Sequence, residues 1–405
     1  MRIVDQTKIR RVVGLLKRQF EVGRARYQRW RRLQIKSVLF IGYAEAALGL
    51  GVSFRALLTA LDQASSKFSI YPFNVNVHTR LIGPFLQNRY DLTGCYEINV
   101  AYMAIDQLPY LYEALNYQIL GARYNILRTY WELPKVPEEW SRYLEPINEL
   151  WVPNSFVASA FRAVHKGKIS TIPVPIDVSR TSVYDRAHFK LSETIFYFLF
   201  TFDYYSGAAR KNPLGVIRAF TKAFPNPNRK VGLVIKCVGP TDADPDLSQQ
   251  LAKAPDDDER IRMIHTTMAR DEVLSLIEQC DCYVSLHRSE GFGMGMAEAL
   301  AFGRPVIGTD FSGNQEFLTA ETGFPVSCAL RKLAPGEYLG GENQYWAEPD
   351  LDAAAEQMRR VFADPEEGWR HGTAGRNLIA SRYSGDVVAR AVQARLAEIK
   401  SELDR

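Results

Sequence analysis

The sequence predicts an α/β protein of two domains, each built on a parallel β-sheet that is covered by helices. Apolar, β-prone runs alternate with segments of helical periodicity in both halves of the chain. This alternation is typical of parallel sheets, in which ligands bind at the carboxyl ends of the strands. A length of 405 residues and 46% hydrophobic side chains are sufficient for two cores of ordinary size. We therefore expect two such domains that face each other across a cleft.

The first domain is predicted to span residues 33–177 and to open with a buried strand at residues 37–43. Gly49 and Gly51 follow this strand and lead into a helix predicted at residues 52–61, which is the opening of a Rossmann-like domain. Their backbone N–H groups are suited to a phosphate, although the glycine spacing does not complete a dinucleotide fingerprint. Further strands are predicted at residues 99–105 and 149–153.

The second domain is predicted to span residues 178–385 and to repeat this Rossmann-like organisation. A proline-rich stretch at residues 171–177 indicates a hinge before it. Apolar residues at helical spacing in residues 386–405 predict a final helix, which in this fold class crosses back toward the first domain. Continuous apolar strands of the second domain are predicted at residues 195–202, 231–238 and 305–308.

The most informative stretch of the chain is a glycine-rich turn between two glutamates, Glu290 and Glu298. A β-prone run precedes this turn and a helix is predicted at residues 294–302, so the glycines fall where a strand turns into a helix. Such a helix presents free N–H groups to a diphosphate, and carboxylates accept hydrogen bonds from the vicinal hydroxyls of a hexose or a ribose. The turn residues predicted to bind such a sugar diphosphate are Gly291, Phe292, Gly293, Met294 and Gly295.

Residue types and spacing alone indicate a nucleotide or phosphate site in an α/β protein. At these residues, however, the chain resembles the retaining glycosyltransferases of family 4, which have the GT-B fold of two Rossmann-like domains. The resemblance covers most of residues 37–385 and is strongest from 195 to 326. It implies transfer of a sugar from a nucleotide donor with retention of anomeric configuration and without a metal. The segments that occur in the family's order are residues 202–206, 210–213, 233–236, 290–298 and 312–314.

Three basic residues are predicted to stabilise the departing nucleoside diphosphate: Arg210, Lys211 and Lys236. Arg210 and Lys211 follow a predicted strand and a short polar loop, and Lys236 ends the apolar run 233–235, so each can place a positive charge near the phosphates. Many family members carry an arginine six residues before the lysine that matches Lys211, and this chain has Tyr205 there. Arg210, Arg288 and Lys236 are alternative replacements, so the sequence leaves the identity of the cation pair open.

His287 and Glu132 are the remaining site candidates. His287 comes just before Glu290. The sequence agrees equally well with a role in orienting phosphate or sugar and with a purely structural role. Glu132 lies among aromatic residues at 130–140, a combination suited to stacking on sugar rings and accepting from hydroxyls, although core packing explains the tryptophans equally well. We expect Glu132 to supply a polar group near the reacting carbon. Residues 312–316 are predicted to turn beside the donor.

The sequence predicts neither a metal nor another cofactor. The acidic stretch at residues 242–246 lacks the glycine and the glutamate that a calcium loop requires at its sixth and twelfth positions, and its prolines indicate a solvated loop. The five cysteines are scattered in apolar segments, which favours reduced thiols over a disulfide framework. Cys280 and Cys282 are predicted to be buried strand residues.

Residues 1–32 carry a charge of +9, while the rest of the chain carries −5. Apolar residues recur in this segment at helical spacing, which predicts a basic amphipathic helix. Either the helix lies on an anionic membrane surface or it packs on its own domain, and the two alternatives stand equal. A nucleic-acid arm is disfavoured because no second basic stripe follows. Without a secretory signal or a long apolar run, we expect a cytoplasmic protein, peripheral on the inner face of the membrane if the first alternative holds.

Taken with the resemblance, these patterns predict a retaining hexosyltransferase that moves a hexose from a nucleotide sugar to a carbohydrate or lipid-linked glycan. Catalytic roles fall to Glu290, Lys211, Arg210 and Glu132. Donor binding falls to Glu298, Lys236, His287, Gly49, Gly51 and the glycine-rich turn. The alternatives are a sugar-nucleotide epimerase or phosphorylase on the same fold and a non-catalytic, membrane-associated scaffold. The sequence does not identify the base, the hexose or the acceptor.

Overall fold

The computed structural model describes residues 36–77, 81–92, 96–115 and 124–405. The predicted N-terminal amphipathic helix lies outside these residues, as does Cys95. The chain divides into two compact units. Unit 1 contains the described residues up to Trp131, Lys135–Pro175 and Gly385–Arg405, and unit 2 contains Glu132–Pro134 and Ile176–Ser384.

Unit 1 is built on a parallel sheet that has six strands within the described residues. Their order is β2-β1-β3-β4-β5-β6, and every neighbouring pair runs parallel. The carboxyl ends of parallel strands meet at one edge of the sheet, so the loops after β1, β2, β3 and β4 share that edge. The strands are β1 (Lys36–Gly42), β2 (Ser69–Pro72), β3 (Tyr96–Tyr102), β4 (Tyr124–Arg128), β5 (Glu149–Val152) and β6 (Lys168–Thr171).

Unit 2 also has a parallel sheet, in the order β12-β11-β10-β7-β8-β9, together with an antiparallel pair, β13-β14. The two parallel sheets confirm the predicted α/β class. The strands are β7 (Phe196–Asp203), β8 (Val231–Val238), β9 (Ile261–His265), β10 (Cys282–Ser285), β11 (Val306–Thr309), β12 (Phe324–Val326), β13 (Cys328–Lys332) and β14 (Tyr345–Pro349).

The helices cover both sheets, as expected for strands that are apolar along their whole length. In unit 1 they are α1 (Gly49–Gln63), α2 (Leu108–Ala114) and α3 (Ser155–Phe161). In unit 2 they are α4 (Ala208–Lys211), α5 (Pro213–Ala223), α6 (Pro245–Asp257), α7 (Arg270–Gln279), α8 (Met294–Ala301), α9 (Leu351–Ala363) and α10 (Pro365–Tyr383). The last helix is α11 (Gly385–Leu403), which belongs to unit 1. Among the described residues, none of these helices has the length and apolarity needed to cross a bilayer.

The core of unit 2 explains why its central strands read as continuous apolar runs. Phe198 and Phe200 of β7 are buried in one hydrophobic cluster. Leu199 lies between them and points to the opposite face of the sheet, and it is fully buried as well. Because helices cover both faces of this sheet, successive side chains pointing in opposite directions are both buried. Burial on both faces removes the polar alternation of a half-exposed strand, and β-branched and aromatic residues fill the positions.

Helix α11 packs on α1 in unit 1, as expected of a terminal helix that crosses back. Val388, Val392 and Ile399 of α11 are buried in the same hydrophobic cluster as Phe54 of α1 and Trp151 of β5. Unit 1 is therefore assembled from chain segments on both sides of unit 2 in the sequence.

A buried ion pair also fixes α11. Arg395 donates from Nε and Nη2 to the Glu149 carboxylate at 3.0 and 2.8 Å, and Glu149 is fully buried. Ser170 Oγ, Tyr124 Oη and Trp151 Nε1 donate to the same carboxylate. Burial alone would raise the pKa of Glu149, but the Arg395 guanidinium and the hydroxyls of Ser170 and Tyr124 lower it. Glu149 therefore stabilises unit 1 as an ionised group.

Candidate functional site

The glycine-rich turn joins β10 to α8, and its own packing sets its shape. Gly293 precedes α8 with a φ of 96°, a left-handed conformation that favours glycine. Phe292 is buried against Phe317 and Tyr383, with ring centroids 5.1 and 5.5 Å apart. The Phe292 side chain therefore anchors the turn and does not present a ring to a ligand. Residues 294–296 form the first turn of α8, and the helix itself offers no acceptor for their N–H groups.

Glu290 is a buried carboxylate held by two cations. Lys211 Nζ donates to Glu290 Oε1 at 2.5 Å, and Arg210 Nη1 lies 3.2 Å from Oε2. Burial alone would raise the pKa of Glu290, but the charges of Lys211 and Arg210 lower it to about 2. The Glu290 N–H donates to Ser312 Oγ at 2.8 Å, and the Gly313 N–H donates to the Glu290 carbonyl at 2.9 Å. Glu290 is thus an ionised acceptor in a fixed position at neutral pH.

Arg210 acts on Glu290 as an immobile positive charge. Its Nε and Nη2 donate to the Ser206 carbonyl at 3.2 and 2.9 Å, and its Nη1 donates to the Ser289 carbonyl at 2.6 Å. The Tyr338 ring centroid lies 5.8 Å from the guanidinium carbon. Burial opposes the charge, but Glu290 more than offsets it and raises the pKa of Arg210 above its usual value. Because backbone carbonyls occupy its N–H donors, Arg210 is better placed to hold Glu290 than to bind phosphate directly.

Two lysines complete the positive charge near the carboxyl ends of β7 and β8. Lys211 belongs to α4, which follows β7, and Lys236 belongs to β8. Burial lowers the pKa of both ammonium groups, and the opposing charges are Glu290 for Lys211 and Asp203 for Lys236. The Lys236 ammonium has no hydrogen-bond partner among the described residues, although the residue is only 8% exposed. A nearly buried ammonium without such a partner is suited to an anionic ligand.

Glu298, the second glutamate of the motif, is paired with a cation that the sequence did not predict. It is buried on α8, and Arg270 Nη2 at the start of α7 donates to Glu298 Oε1 at 2.6 Å. The Arg270 side chain is 35% exposed and that of Glu298 is 6% exposed, so the pair bridges solvent and interior. The Asp177 carbonyl lies 3.4 Å from the same Nη2. No local pattern links positions 270 and 298, which come together because α7 and α8 pack against each other.

His287 is fully buried, and neither ring nitrogen has a hydrogen-bond partner among the described residues. Burial lowers the pKa of His287 to about 4, with Lys211 and Arg210 acting in the same direction and Glu290 opposing them. The imidazole is therefore neutral at pH 7. A side chain with no exposed surface does not touch a ligand directly, so the structure favours the structural alternative for His287.

Glu132 joins the Arg210 cluster from a distant part of the sequence. The sequence places Glu132 inside the first domain, but residues Glu132–Pro134 belong to unit 2. Tyr338 Oη donates to Glu132 Oε2 at 3.1 Å, and Ser289 Oγ donates to the Glu132 carbonyl. Glu132 therefore contacts two residues that themselves touch Arg210. The signal that would locate it, a contact between positions 132 and 289, is not visible in one sequence.

Two other sequence candidates are used elsewhere. The Arg288 guanidinium donates to Glu348 at 2.8 and 2.9 Å and also to the Ala209 carbonyl, so it ties β14 to the loop after β10 and does not replace the missing family arginine. Trp131 is buried in unit 1, and its Nε1 donates to the Lys135 carbonyl at 2.8 Å. Trp131 is therefore a core residue and does not present its ring for sugar stacking.

Gly49 and Gly51 lie in the first turn of α1, which begins three residues earlier than predicted. A side chain at Gly51 would collide with the Ala46 carbonyl and lie 2.8 Å from the Tyr43 carbonyl, so close packing requires glycine there. A side chain at Gly49 would meet nothing within 4 Å. The N–H groups of this turn lack intrahelical acceptors and remain available to an anion.

The acidic stretch at 242–246 is not simply a solvated loop. Asp244 caps α6, because its Oδ1 accepts the Leu247 N–H at 3.1 Å. Within the described part of the chain, no group of three histidine, cysteine, aspartate or glutamate side chains is arranged to hold a metal ion. Cys282 is the first residue of β10, whereas Cys280 lies just after α7, and both are buried.

One family model matches part of the chain. Residues 204–378 match the model of the family described as glycosyl transferases group 1, a range that includes Lys211, Glu290 and Glu298. No curated protein matches the chain.

Solved structures resemble this chain over most of its length. A sucrose-phosphate synthase from Thermosynechococcus elongatus is 14% identical, with a TM-score of 0.66, over 91% of this chain and 100% of that one. HepE from Anabaena, in complex with UDP and glucose, is 12% identical, with a TM-score of 0.63, over 89% and 99%. The pneumococcal O-GlcNAc transferase GtfA, in complex with UDP and GlcNAc, is 16% identical, with a TM-score of 0.52, over 75% and 56%. The chain has the GT-B fold.

The family model and the GT-B fold together support a glycosyltransferase. They confirm the predicted fold class, while membership of family 4 and retention of configuration stay predictions. A carboxylate acceptor, an ammonium group and free helix N–H groups surround one turn.

Proposed function

We propose that the chain is a retaining hexosyltransferase that uses a nucleoside-diphosphate sugar. The observation that carries this proposal is the Glu290 carboxylate, ionised and held between Lys211 and Arg210 beside the amino end of α8. Carboxylate oxygens accept hydrogen bonds from sugar hydroxyls, whereas ammonium and helix N–H groups bind phosphate oxygens. One turn therefore offers suitable partners to both halves of a sugar diphosphate.

In this proposal, Glu290 binds the hexose hydroxyls and Glu298 binds the ribose. Lys211 and Lys236 stabilise the negative charge that grows on the leaving diphosphate, together with N–H groups of α8. Arg210 holds Glu290 in its ionised form. Residues 178–385 carry the donor, and residues 33–177 carry a carbohydrate or lipid-linked glycan acceptor.

We propose same-face substitution as the chemical step. The bond between the anomeric carbon and the phosphate oxygen breaks, and the acceptor oxygen forms its bond to that carbon on the same face. A leaving-phosphate oxygen takes the proton of the acceptor hydroxyl, which balances the step without an oxidant or a metal. Lys211, which pairs with Glu290 in the turn, is assigned to neutralise this phosphate.

A donor panel tests the proposal. UDP sugars come first because HepE and GtfA, two structures similar to this chain, contain UDP, and GDP and ADP sugars follow. Slow release of nucleoside diphosphate from one donor supports transfer, and interconversion of the sugar supports an epimerase. Thermal-shift experiments detect binding, because a ligand at 100 times its dissociation constant stabilises the folded protein by roughly 2.7 kcal/mol. A protein that shows no shift with any of these nucleotides supports the scaffold alternative.

Turnover is expected to survive EDTA. The positive charge that offsets the leaving group comes from side chains and backbone N–H groups in this proposal, so removal of divalent cations leaves it in place. Initial rates with and without EDTA, followed by addition of Mg²⁺ or Mn²⁺, measure the effect. A loss of turnover that either cation restores would contradict the expectation and point to the carboxylates at 242–246.

We further propose that residues 1–32 place the enzyme on an anionic membrane surface. Each basic side chain near such a surface contributes about 1 kcal/mol, and salt weakens this attraction. Deletion of the segment is expected to release the protein from anionic vesicles while turnover on a soluble acceptor stays nearly unchanged, because the assigned donor residues all lie beyond position 40. Co-sedimentation with anionic and zwitterionic vesicles at several salt concentrations provides the measurement.

Equal binding of the full-length and truncated proteins to anionic vesicles at low salt would eliminate the membrane proposal. A truncated protein that no longer folds would favour the alternative in which this helix packs on its own domain.

A further inference from the structure

The pair formed by Arg270 and Glu298 carries an inference about nucleotide recognition that rests on the function proposed above. Only one guanidinium nitrogen, Nη2, donates to Glu298, and it reaches only Oε1. No described residue donates a hydrogen bond to the other carboxylate oxygen, Oε2. A carboxylate anchored through one oxygen in this way keeps the other oxygen available to a ligand hydroxyl.

The charge at this position also needs an explanation. Glu298 is the fifth residue of α8, and at a rise of about 1.5 Å per residue its Cα lies about 6 Å from the amino end of the helix. The free N–H groups at that end are the proposed diphosphate site. An uncompensated carboxylate at this distance repels a diphosphate. Glu290 has its own cations in Lys211 and Arg210, and Arg270 is the matching counter-ion for Glu298.

We propose that Arg270 is a positioning residue for the nucleotide: it neutralises Glu298 and fixes this carboxylate with one oxygen directed to the ribose. Its own exposure agrees with this role. The Arg270 side chain remains 35% exposed, whereas a residue that only filled the core would be enclosed. Arg270 begins α7 and Glu298 belongs to α8, so the pair also fixes the position of the carboxylate relative to two helices.

Calorimetric titration with UDP, GDP and ADP tests the inference on the full-length protein. The variants are Arg270→Ala, Arg270→Lys, Glu298→Gln and the double variant Arg270→Ala/Glu298→Gln. The matched control is Arg359→Ala, which removes an exposed arginine that pairs with Glu356 on α9, outside the site. Arg270→Lys and the double variant guard against misfolding, because neither leaves a buried carboxylate without a counter-ion.

For the nucleotide that the parent binds, Arg270→Ala is expected to raise Kd by about tenfold or more, the scale of losing one charged hydrogen bond. Arg270→Lys restores binding to within about threefold of the parent, because it keeps the charge but not the fork of the guanidinium. The double variant binds no more weakly than Glu298→Gln alone, because Arg270 acts through Glu298. In steady-state kinetics the donor KM rises, while kcat changes much less.

Three results would overturn the inference. One is a parent-like Kd for Arg270→Ala. Another is a reduced binding stoichiometry with an unchanged Kd, which would mean that Arg270 only maintains folding. The third is a parent protein that binds none of the three nucleotides, and this result alone also removes the proposed function. The parent titration therefore separates failure of the proposed function from failure of the role of Arg270.

Discussion

Glu290→Gln is expected to lower kcat/KM for the sugar donor by roughly 10- to 150-fold, the loss that corresponds to one hydrogen bond to a charged group. The amide keeps the size of the side chain but removes the charge that Lys211 and Arg210 hold in place. It also replaces one carboxylate oxygen, an acceptor for hexose hydroxyls, with a donor. Steady-state rates over a range of donor concentrations provide the measurement.

The matched control for this variant is Glu348→Gln, since Glu348 also accepts from two cations, Arg288 and Arg331, but lies on β14 outside the turn. We expect it to retain turnover close to that of the parent. Binding of free nucleoside diphosphate should survive in Glu290→Gln, because Glu290 is assigned to the sugar and not to the nucleotide. A variant with full turnover, or one that loses nucleotide affinity and turnover to the same extent, would contradict this assignment.

Arg395→Met is expected to destabilise unit 1 by about 3–5 kcal/mol, because it leaves the buried Glu149 charge without its cation. Three neutral donors remain on the carboxylate but do not replace the guanidinium charge. Urea denaturation measures the change in the free energy of unfolding, and hydrogen exchange in residues 385–403 shows whether the loss is located in α11.

Glu398→Gln is the matched control, because Glu398 also pairs with Arg395 but its side chain is 62% exposed. An exposed pair contributes about 0–1 kcal/mol, so this variant should unfold almost as the parent does. Equal stability of Arg395→Met and Glu398→Gln would show that the buried pair does not hold α11.

The Glu149 carboxylate also makes the stability of unit 1 decrease in acid. The pKa of Glu149 is lowered in the folded state, so its contribution to stability is complete above the pKa of an unfolded glutamate, about 4.3. The contribution disappears as pH falls through the lower folded value. Arg395→Met, which removes the main cause of the lowered pKa, should therefore show a weaker loss of stability between neutral pH and acid than the parent.

Much of the fold could be predicted because its signals are local. Strand β8 occupies the predicted residues 231–238, since a run of β-branched and apolar residues that ends at Gly239 and Pro240 has few alternatives. Helix α1 was predicted to begin at 52 but begins at Gly49. Glycine has a low helix propensity, which favoured a start after Gly51, but close packing of Gly51 on the Tyr43 and Ala46 carbonyls requires glycine inside this first turn.

The site was predictable in part for the same reason. The spacing of Glu290 and Glu298 around a glycine-rich turn is a local pattern, and the structure places both carboxylates on the strand-to-helix junction predicted for them. The partners of these carboxylates are not local. Arg270 reaches Glu298 only through the packing of α7 on α8, and Glu132 reaches unit 2 only through the folded path of the chain. A single sequence contains no periodic signal for such pairs.

The position of α11 has a consequence for the order in which the protein is made. Unit 2 lies entirely within residues 132–384, whereas unit 1 needs residues 385–405, which leave the ribosome afterwards. Unit 2 can therefore complete its core while unit 1 still exposes the apolar surface of α1 that Val388 and Val392 cover. During synthesis the first unit in the sequence is the last to be finished, and that uncovered surface is where a nascent chain is open to chaperones or to aggregation.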